Sequence, residues 1–134
     1  MKLKNYSNYL NIIKDYCTLC QIKLVYKNIK THEGDYNDTH KIITVDDNLD
    51  DSEEIAVLLH ELGHFECDNV ATSVQKKRIG NIYFKKSGGE TLSKKEGLSY
   101  RKCEDDAWEQ GRIIAKRLKI RLGKWYDEEG KDRY

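Results

Sequence analysis

Apolar positions along the chain change their period several times, and each period predicts an element. From Asn5 to Tyr16, residues Tyr6, Tyr9, Leu10, Ile13 and Tyr16 recur at helical spacing, which predicts an N-terminal helix within residues 1–20. Ile22 to Tyr26 and Lys41 to Val45 are short runs rich in β-branched residues and read as strands. The polar stretch Thr31 to Thr39, with Gly34 inside it, reads as a turn, and Asp46 to Asp50 as a short connection. The clearest helix follows. Ile55, Leu58, Leu59, Leu62 and Phe65 form one apolar stripe at 3.6-residue period, ending at Asp68-Asn69. Asp51 as N-cap with Glu54 three residues on has capping-box spacing.

Beyond Asn69 the pattern weakens. Val70 to Lys77 reads as a short helix, and Ile79 to Phe84 as a third strand or an extended loop. Lys85 to Leu98, which holds Gly88-Gly89, reads as an exposed loop. A last long helix is expected from Ser99 to Leu118, with Tyr100, Cys103, Ala107, Gly111, Ile114 and Leu118 on its apolar face. The charged tail 123–134 is expected to be mobile unless Trp125 and Tyr126 dock. The fold class is therefore α+β: one domain over 1–134, with a sheet of about three strands packed on helices.

Totals narrow the function classes. Hydrophobic residues make up 38% and charged ones 35% of 134 residues, which suits one globular domain. No run of 18 apolar residues predicts a membrane span. Met1 to Tyr6 lacks the apolar core of a signal peptide, so a cytoplasmic location is the expectation. The four cysteines, Cys17, Cys20, Cys67 and Cys103, are too few for a disulfide scaffold and are read as reduced thiols. Cys17 and Cys20 form a single C-x-x-C, and a structural zinc knuckle needs a second pair.

The net charge is +1, yet the charges are segregated. Glu33 to Asp68 holds twelve acidic residues and one basic one, Lys41. Gln75 to Lys102 holds nine basic residues against Glu90 and Glu96. Two solvated surfaces explain this more simply than a basic lip for an acidic partner or nucleic acid.

The chemistry centres on His60-Glu61-Leu62-Gly63-His64, an H-E-x-x-H sequence on the best helix of the chain. Residues i and i+4 point the same way, so both imidazoles can reach one ion. Glu61 lies about 100° further round, beside a metal-bound water rather than on the metal. A zinc there would acidify that water, and Glu61 would take its proton. The histidines fall opposite the apolar stripe, together with the small residues Ala56, Gly63 and Cys67, which would let a second element come close. An open zinc site needs a third protein ligand. Cys67 shares the helix face but is more simply packing material. Glu104 borders the apolar face of the last helix, whereas Asp105, Asp106 and Glu109 point to solvent. A carboxylate at that boundary is costly unless paired, and a metal would pair it. Tyr83, Tyr100, His32 and His40 are open candidates for stabilising an oxyanion, and Trp108 could pack behind the metal.

These residues carry a family resemblance. Ile42-Ile43-Thr44-Val45-Asp46-Asp47-Asn48-Leu49, leading into the helix with His60-Glu61-Leu62-Gly63-His64-Phe65, resembles the ImmA/IrrE metallopeptidases. There a later helix carries E-x-x-A-x-x-F-A, whose Glu is the third zinc ligand. Here Glu104-Asp105-Asp106-Ala107 matches the first half, and Gln110-Gly111 replaces Phe-Ala. Thermolysin-like enzymes instead carry E-x-x-x-D, and Trp108 occupies that Asp position. The resemblance implies a small zincin-like domain with Zn2+ between the two helices, held by His60, His64 and Glu104. It implies a peptidase acting on a regulatory protein such as a transcriptional repressor, in a phage, mobile element or stress circuit. No helix-turn-helix is legible, so a stand-alone module is expected. The rival readings are a non-catalytic zinc-stabilised binding module and a DNA-recruited SprT-like protease. No membrane partner is expected.

Overall fold

In the computed structural model, which describes residues 6–131, eight elements follow one another. They are α1 (Tyr6–Leu19), β1 (Lys23–Lys27), β2 (Gly34–Asn37), β3 (Ile42–Asp46), α2 (Asp51–Val70), α3 (Ser73–Ser87), α4 (Lys94–Arg117) and α5 (Lys124–Lys131). Among the described residues no helix is long and apolar enough to cross a membrane.

The sheet has three strands in the order β1-β3-β2. β1 runs parallel to β3, with Leu24 opposite Ile43, and β2 runs antiparallel to it, with Tyr36 opposite Ile43. The central strand carries the two fully buried sheet residues, Ile43 and Val45. The third strand is thus the segment read as a turn, and Ile79–Phe84 is not a strand. β2 is polar and half exposed, so no hydrophobic alternation marks it. Its pairing with β3 makes it a strand. Ile79, Ile82 and Tyr83 instead sit at i, i+3 and i+4 of α3 and turn one helical face inward, with Ile82 buried.

Helix starts show a second correction. The N-cap of α2 is Asp50, whose side chain accepts from the Glu53 amide at 2.9 Å while Glu53 accepts from the Asp50 amide at 3.1 Å. Asp51 and Glu54 have the same spacing, but Glu54 is taken by the Tyr26 hydroxyl of β1 at 2.8 Å. α3 and α4 begin with boxes of the same kind, Thr72 with Gln75 and Ser93 with Glu96. The second starts α4 five residues before the expected Ser99, and the exposed loop shrinks to Gly88–Ser93. In the tail, Trp125 and Tyr126 do dock: α5 packs through the buried Tyr126, with Trp125 against the core. Asn5 and residues 132–134 lie outside the described residues.

α2 is the spine of the molecule. Its stripe Ile55, Leu58, Leu59, Leu62 and Phe65 is buried, as are Ala56, Val57 and Gly63 on its other sides. Burying each large aliphatic contributes about 1.5–3 kcal/mol. α4 crosses it without side chains between the backbones at two places. A Cβ on Gly63 would coincide with the Ala107 carbonyl, and one on Gly111 would lie 2.6 Å from the Leu59 carbonyl oxygen and against the Tyr126 hydroxyl. Glycine here is a requirement of close helix packing, which outweighs its cost of about 1 kcal/mol in a helix interior.

Gly63→Ala is therefore expected to cost at least the roughly 1–3 kcal/mol of overpacking, because the atoms it meets are backbone. Gly80, inside α3 with nothing within 4 Å of an added Cβ, gives the opposite sign. Gly80→Ala is expected to gain up to about 1 kcal/mol. Urea denaturation of the two variants checks both directions.

Candidate metal centre

The α2–α4 contact fixes what lies one turn away from it. His60 is one turn before Gly63 on α2, and Glu104 one turn before Ala107 on α4. With the backbones in contact, Glu104 reaches both imidazoles. Its Oε1 lies 3.2 Å from His60 Nε2 and its Oε2 2.9 Å from His64 Nε2. The two rings are 4.6 Å apart between centroids, near perpendicular. Glu61 stands beside them, and donor atoms of His60, Glu61 and His64 all lie within 4.8 Å of one another. His60 is 2%, Glu61 4% and Glu104 7% exposed. The structure thus brings together the four residues singled out in the sequence. Asp105 and Asp106 are exposed, as the helical phase of α4 requires.

Three aromatic residues brace this set. Trp108, one turn after Glu104, lies against the His60 ring with centroids 4.3 Å apart and planes tilted by 31°. Tyr126 of α5 packs edge-on against Trp108 at 4.9 Å and donates its hydroxyl to the Trp108 carbonyl at 2.6 Å. Stacking on Trp108 and the Glu104 carboxylate at Nε2 fix the His60 ring, since its buried Nδ1 meets no partner among the described residues. Tyr83 of α3 donates its hydroxyl to Glu104 Oε2 at 2.5 Å and sets its ring edge-on to His64. Tyr100 packs against Tyr83, with Lys86 over its own ring. Of the oxyanion candidates, Tyr83 is thus committed to Glu104. His32 lines the same cleft but is tied to Asp35 at 3.0 Å, and His40 lies in the β2–β3 turn outside it. Cys67 and Cys103 are half-buried at the cleft, and all four thiols are free.

The electrostatics favour positive charge. Burial alone would raise the Glu104 pKa, but hydrogen bonds and charges from His60 and His64 hold it well below the usual carboxylate range. Burial pulls the His64 pKa down, yet Cys103, Glu104 and Glu61 outweigh it and push it up to about 10. Burial first, and the Glu104 charge second, raise the Tyr83 phenol well above its ordinary value, so it stays a donor. A field that keeps a buried imidazole protonated also favours a cation among the same atoms. Two imidazole nitrogens and one carboxylate form a donor set that suits zinc.

Two contacts escaped the sequence reading, that of Tyr83 with Glu104 and that of Tyr126 with Trp108. The signal for Tyr83 was the helical set Ile79, Ile82 and Tyr83, hidden by its β-like composition. Tyr126 closing behind Trp108 had no local signal, since eighteen residues separate them. Tyr83→Phe removes a hydrogen bond to a charged group and is expected to cost about 1.5–3 kcal/mol. Urea denaturation of chelator-treated protein measures it, and unchanged stability would show that the phenol does not hold Glu104.

Comparison with known proteins identifies the family. The family model described as the IrrE N-terminal-like domain of peptidases matches residues 17–101, more than half of the chain. The match contains His60, Glu61, His64 and Tyr83 and ends short of Glu104. No curated protein and no solved structure matches. With that match over the sheet, α2 and α3, the chain belongs to the ImmA/IrrE family of metallopeptidases, through its IrrE N-terminal-like domain.

Proposed function

We propose that the protein is a zinc-dependent peptidase in which His60, His64 and Glu104 hold the metal and Glu61 is the general base. The observation that carries this reading is the convergence of two Nε2 atoms and the Glu104 carboxylate beside a buried Glu61 that none of them consumes. Zinc, when bound, supplies Lewis acidity that brings the pKa of a water to about 7. Glu61 accepts a proton at its carboxylate and passes it to the leaving amine nitrogen. Trp108 fixes the His60 ring, and Tyr83 fixes Glu104, so the ligands are oriented before the metal arrives. β2 is an edge strand whose Gly34 backbone lies against Val57 and Glu61, a Cβ there falling 2.6 Å from Val57 Cγ1. A substrate chain laid along that edge would pass its amides beside Glu61.

The substrate in this reading is a regulatory protein such as a transcriptional repressor, met in the cytoplasm. A zinc-stabilised module without catalysis would leave Glu61 without a task. Recruitment to DNA is less well supported, because much of the basic segment is spent internally. Lys76, Lys85 and Lys102 are in ion pairs, and Arg78 donates to Ser99.

Elemental analysis of protein purified without added metal is expected to find about one zinc per chain, and chelation to lower stability. Wild-type protein that binds no divalent metal would end this reading. Glu61→Gln should keep the zinc and lose hydrolysis, since the amide cannot accept the proton; turnover equal to wild type would remove Glu61 as base.

Competitive zinc titration separates the three consecutive acids. Glu104→Ala should lose more than the roughly 10–100-fold in affinity that removing a ligand's hydrogen-bonding partner costs. Asp105→Ala and Asp106→Ala should change stability by less than about 0.5 kcal/mol and keep the metal. Loss of metal in Asp105→Ala alone would place the wrong acid at the site.

A further inference from the structure

We propose that the cleft selects polypeptide segments carrying Lys or Arg beside the bond to be hydrolysed. This rests on the peptidase reading and deepens it: the site is the one formed by His60, Glu61, His64 and Glu104, and the surrounding charges set what it accepts.

The chain as a whole has a net charge of +1, but the cleft does not share that balance. Its walls carry Glu33, Asp35 and Asp38 on and around β2, Glu53 and Glu66 on α2, and Glu129 on α5. Carboxylate oxygens of Glu33, Glu53 and Glu129 converge within 4.8 Å of one another. Two unit charges at about 4 Å repel by roughly 1 kcal/mol even in water, and by more beside a low-dielectric wall. The cleft's basic residues do not offset this. Lys76 is paired with Asp68 at 3.6 Å and Lys102 with Asp106 at 2.8 Å. Among the described residues that leaves Arg78, which donates to the Ser99 hydroxyl at 3.0 Å, as the cleft lysine or arginine outside those ion pairs.

Two constraints identify the occupant. It must present an amide to Glu61, which requires a polypeptide. It must also relieve the field of the flanking carboxylates, which requires cationic side chains. A segment running beside β2 would lie about 4.7–4.9 Å from it, close enough for its lysines or arginines to reach the acids around that strand. A field of one sign in a cleft raises the local concentration of oppositely charged segments. It repels phosphate backbones, so a nucleic acid is the wrong ligand for this surface.

The test uses the zinc-loaded 134-residue chain as Glu61→Gln, which prevents turnover, and fluorescence anisotropy at low salt. The probes are two labelled twelve-residue peptides of one apolar frame, carrying Lys or Glu at alternate positions, and a labelled DNA duplex. The Lys peptide is expected to bind about tenfold or more tighter than the Glu peptide, with the preference shrinking as salt rises. Combining Asp35→Asn, Asp38→Asn and Glu66→Gln, which leaves Glu33, Glu53 and Glu129 in place, should reduce the preference severalfold. Combining Asp15→Asn, Asp105→Asn and Glu128→Gln, which removes equal charge from exposed positions outside the cleft, should leave it. Equal binding of the two peptides, an undiminished preference in the cleft variant, or tighter binding of the duplex would each overturn the proposal. Failure of the peptidase reading has a different signature: zinc-loaded wild type would hydrolyse neither peptide although the binding preference stands.

Discussion

The close approach of α2 and α4 is the constraint from which the site follows. Helix backbones meet only where side chains are absent, and here Gly63 faces Ala107 while Gly111 faces Leu59. Two contacts along one crossing fix both the separation and the register of the helices. One turn further on, that register places Glu104 between His60 and His64. A methyl group at either glycine would meet the backbone of the facing helix and push the two apart. The cost of glycine in a helix is thus tied to the geometry of the donor set.

Burial is what makes these donors useful, and it is also their largest cost. A carboxylate and two imidazoles taken out of water lose hydration that must be replaced atom by atom. Glu104 recovers it from both histidines and from Tyr83, so its lone pairs are aimed before any ligand arrives. His60 is held by a ring face against Trp108, itself held by Tyr126 from the end of the chain. These supports come from α3, α4 and α5, three elements that share little with α2 in sequence. Orientation of the histidines is therefore a property of the whole fold and not of the H-E-x-x-H helix alone.

The segregation of charge along the sequence takes on a physical meaning in three dimensions. The acidic block contributes β2 and α2, which form one wall and the floor of the cleft, while the basic block forms α3 and the start of α4. Much of the basic block is consumed in holding these helices together. Lys85 pairs with Glu96 across the α3–α4 turn, and Lys86 lies over Tyr100. The lysines read as a surface in sequence thus act partly as staples, and the field that remains in the cleft is negative.

Several features could be read without coordinates because they are local. The 3.6-residue period of Ile55, Leu58, Leu59, Leu62 and Phe65 defines α2, and i to i+4 spacing alone aligns His60 with His64. The phase of α4 turns Glu104 inward and Asp105 and Asp106 outward, since each step along a helix is 100°. β3 announces itself by its β-branched run. Other features were decided by contacts distant in sequence. Gly34–Asn37 is a strand because β3 offers it a ladder of hydrogen bonds, and nothing in its own residues demands one. Ile79 to Phe84 has the composition of a strand but is helical, because a helix turns Ile82 and Tyr83 toward α4 together. Asp50 caps α2 in place of Asp51, and Glu54 accepts from the distant Tyr26 instead of closing a box. In each case local propensities were close to balanced. Tertiary partners worth a kcal/mol or so are enough to tip such a balance, and the sequence does not show them until the chain has folded.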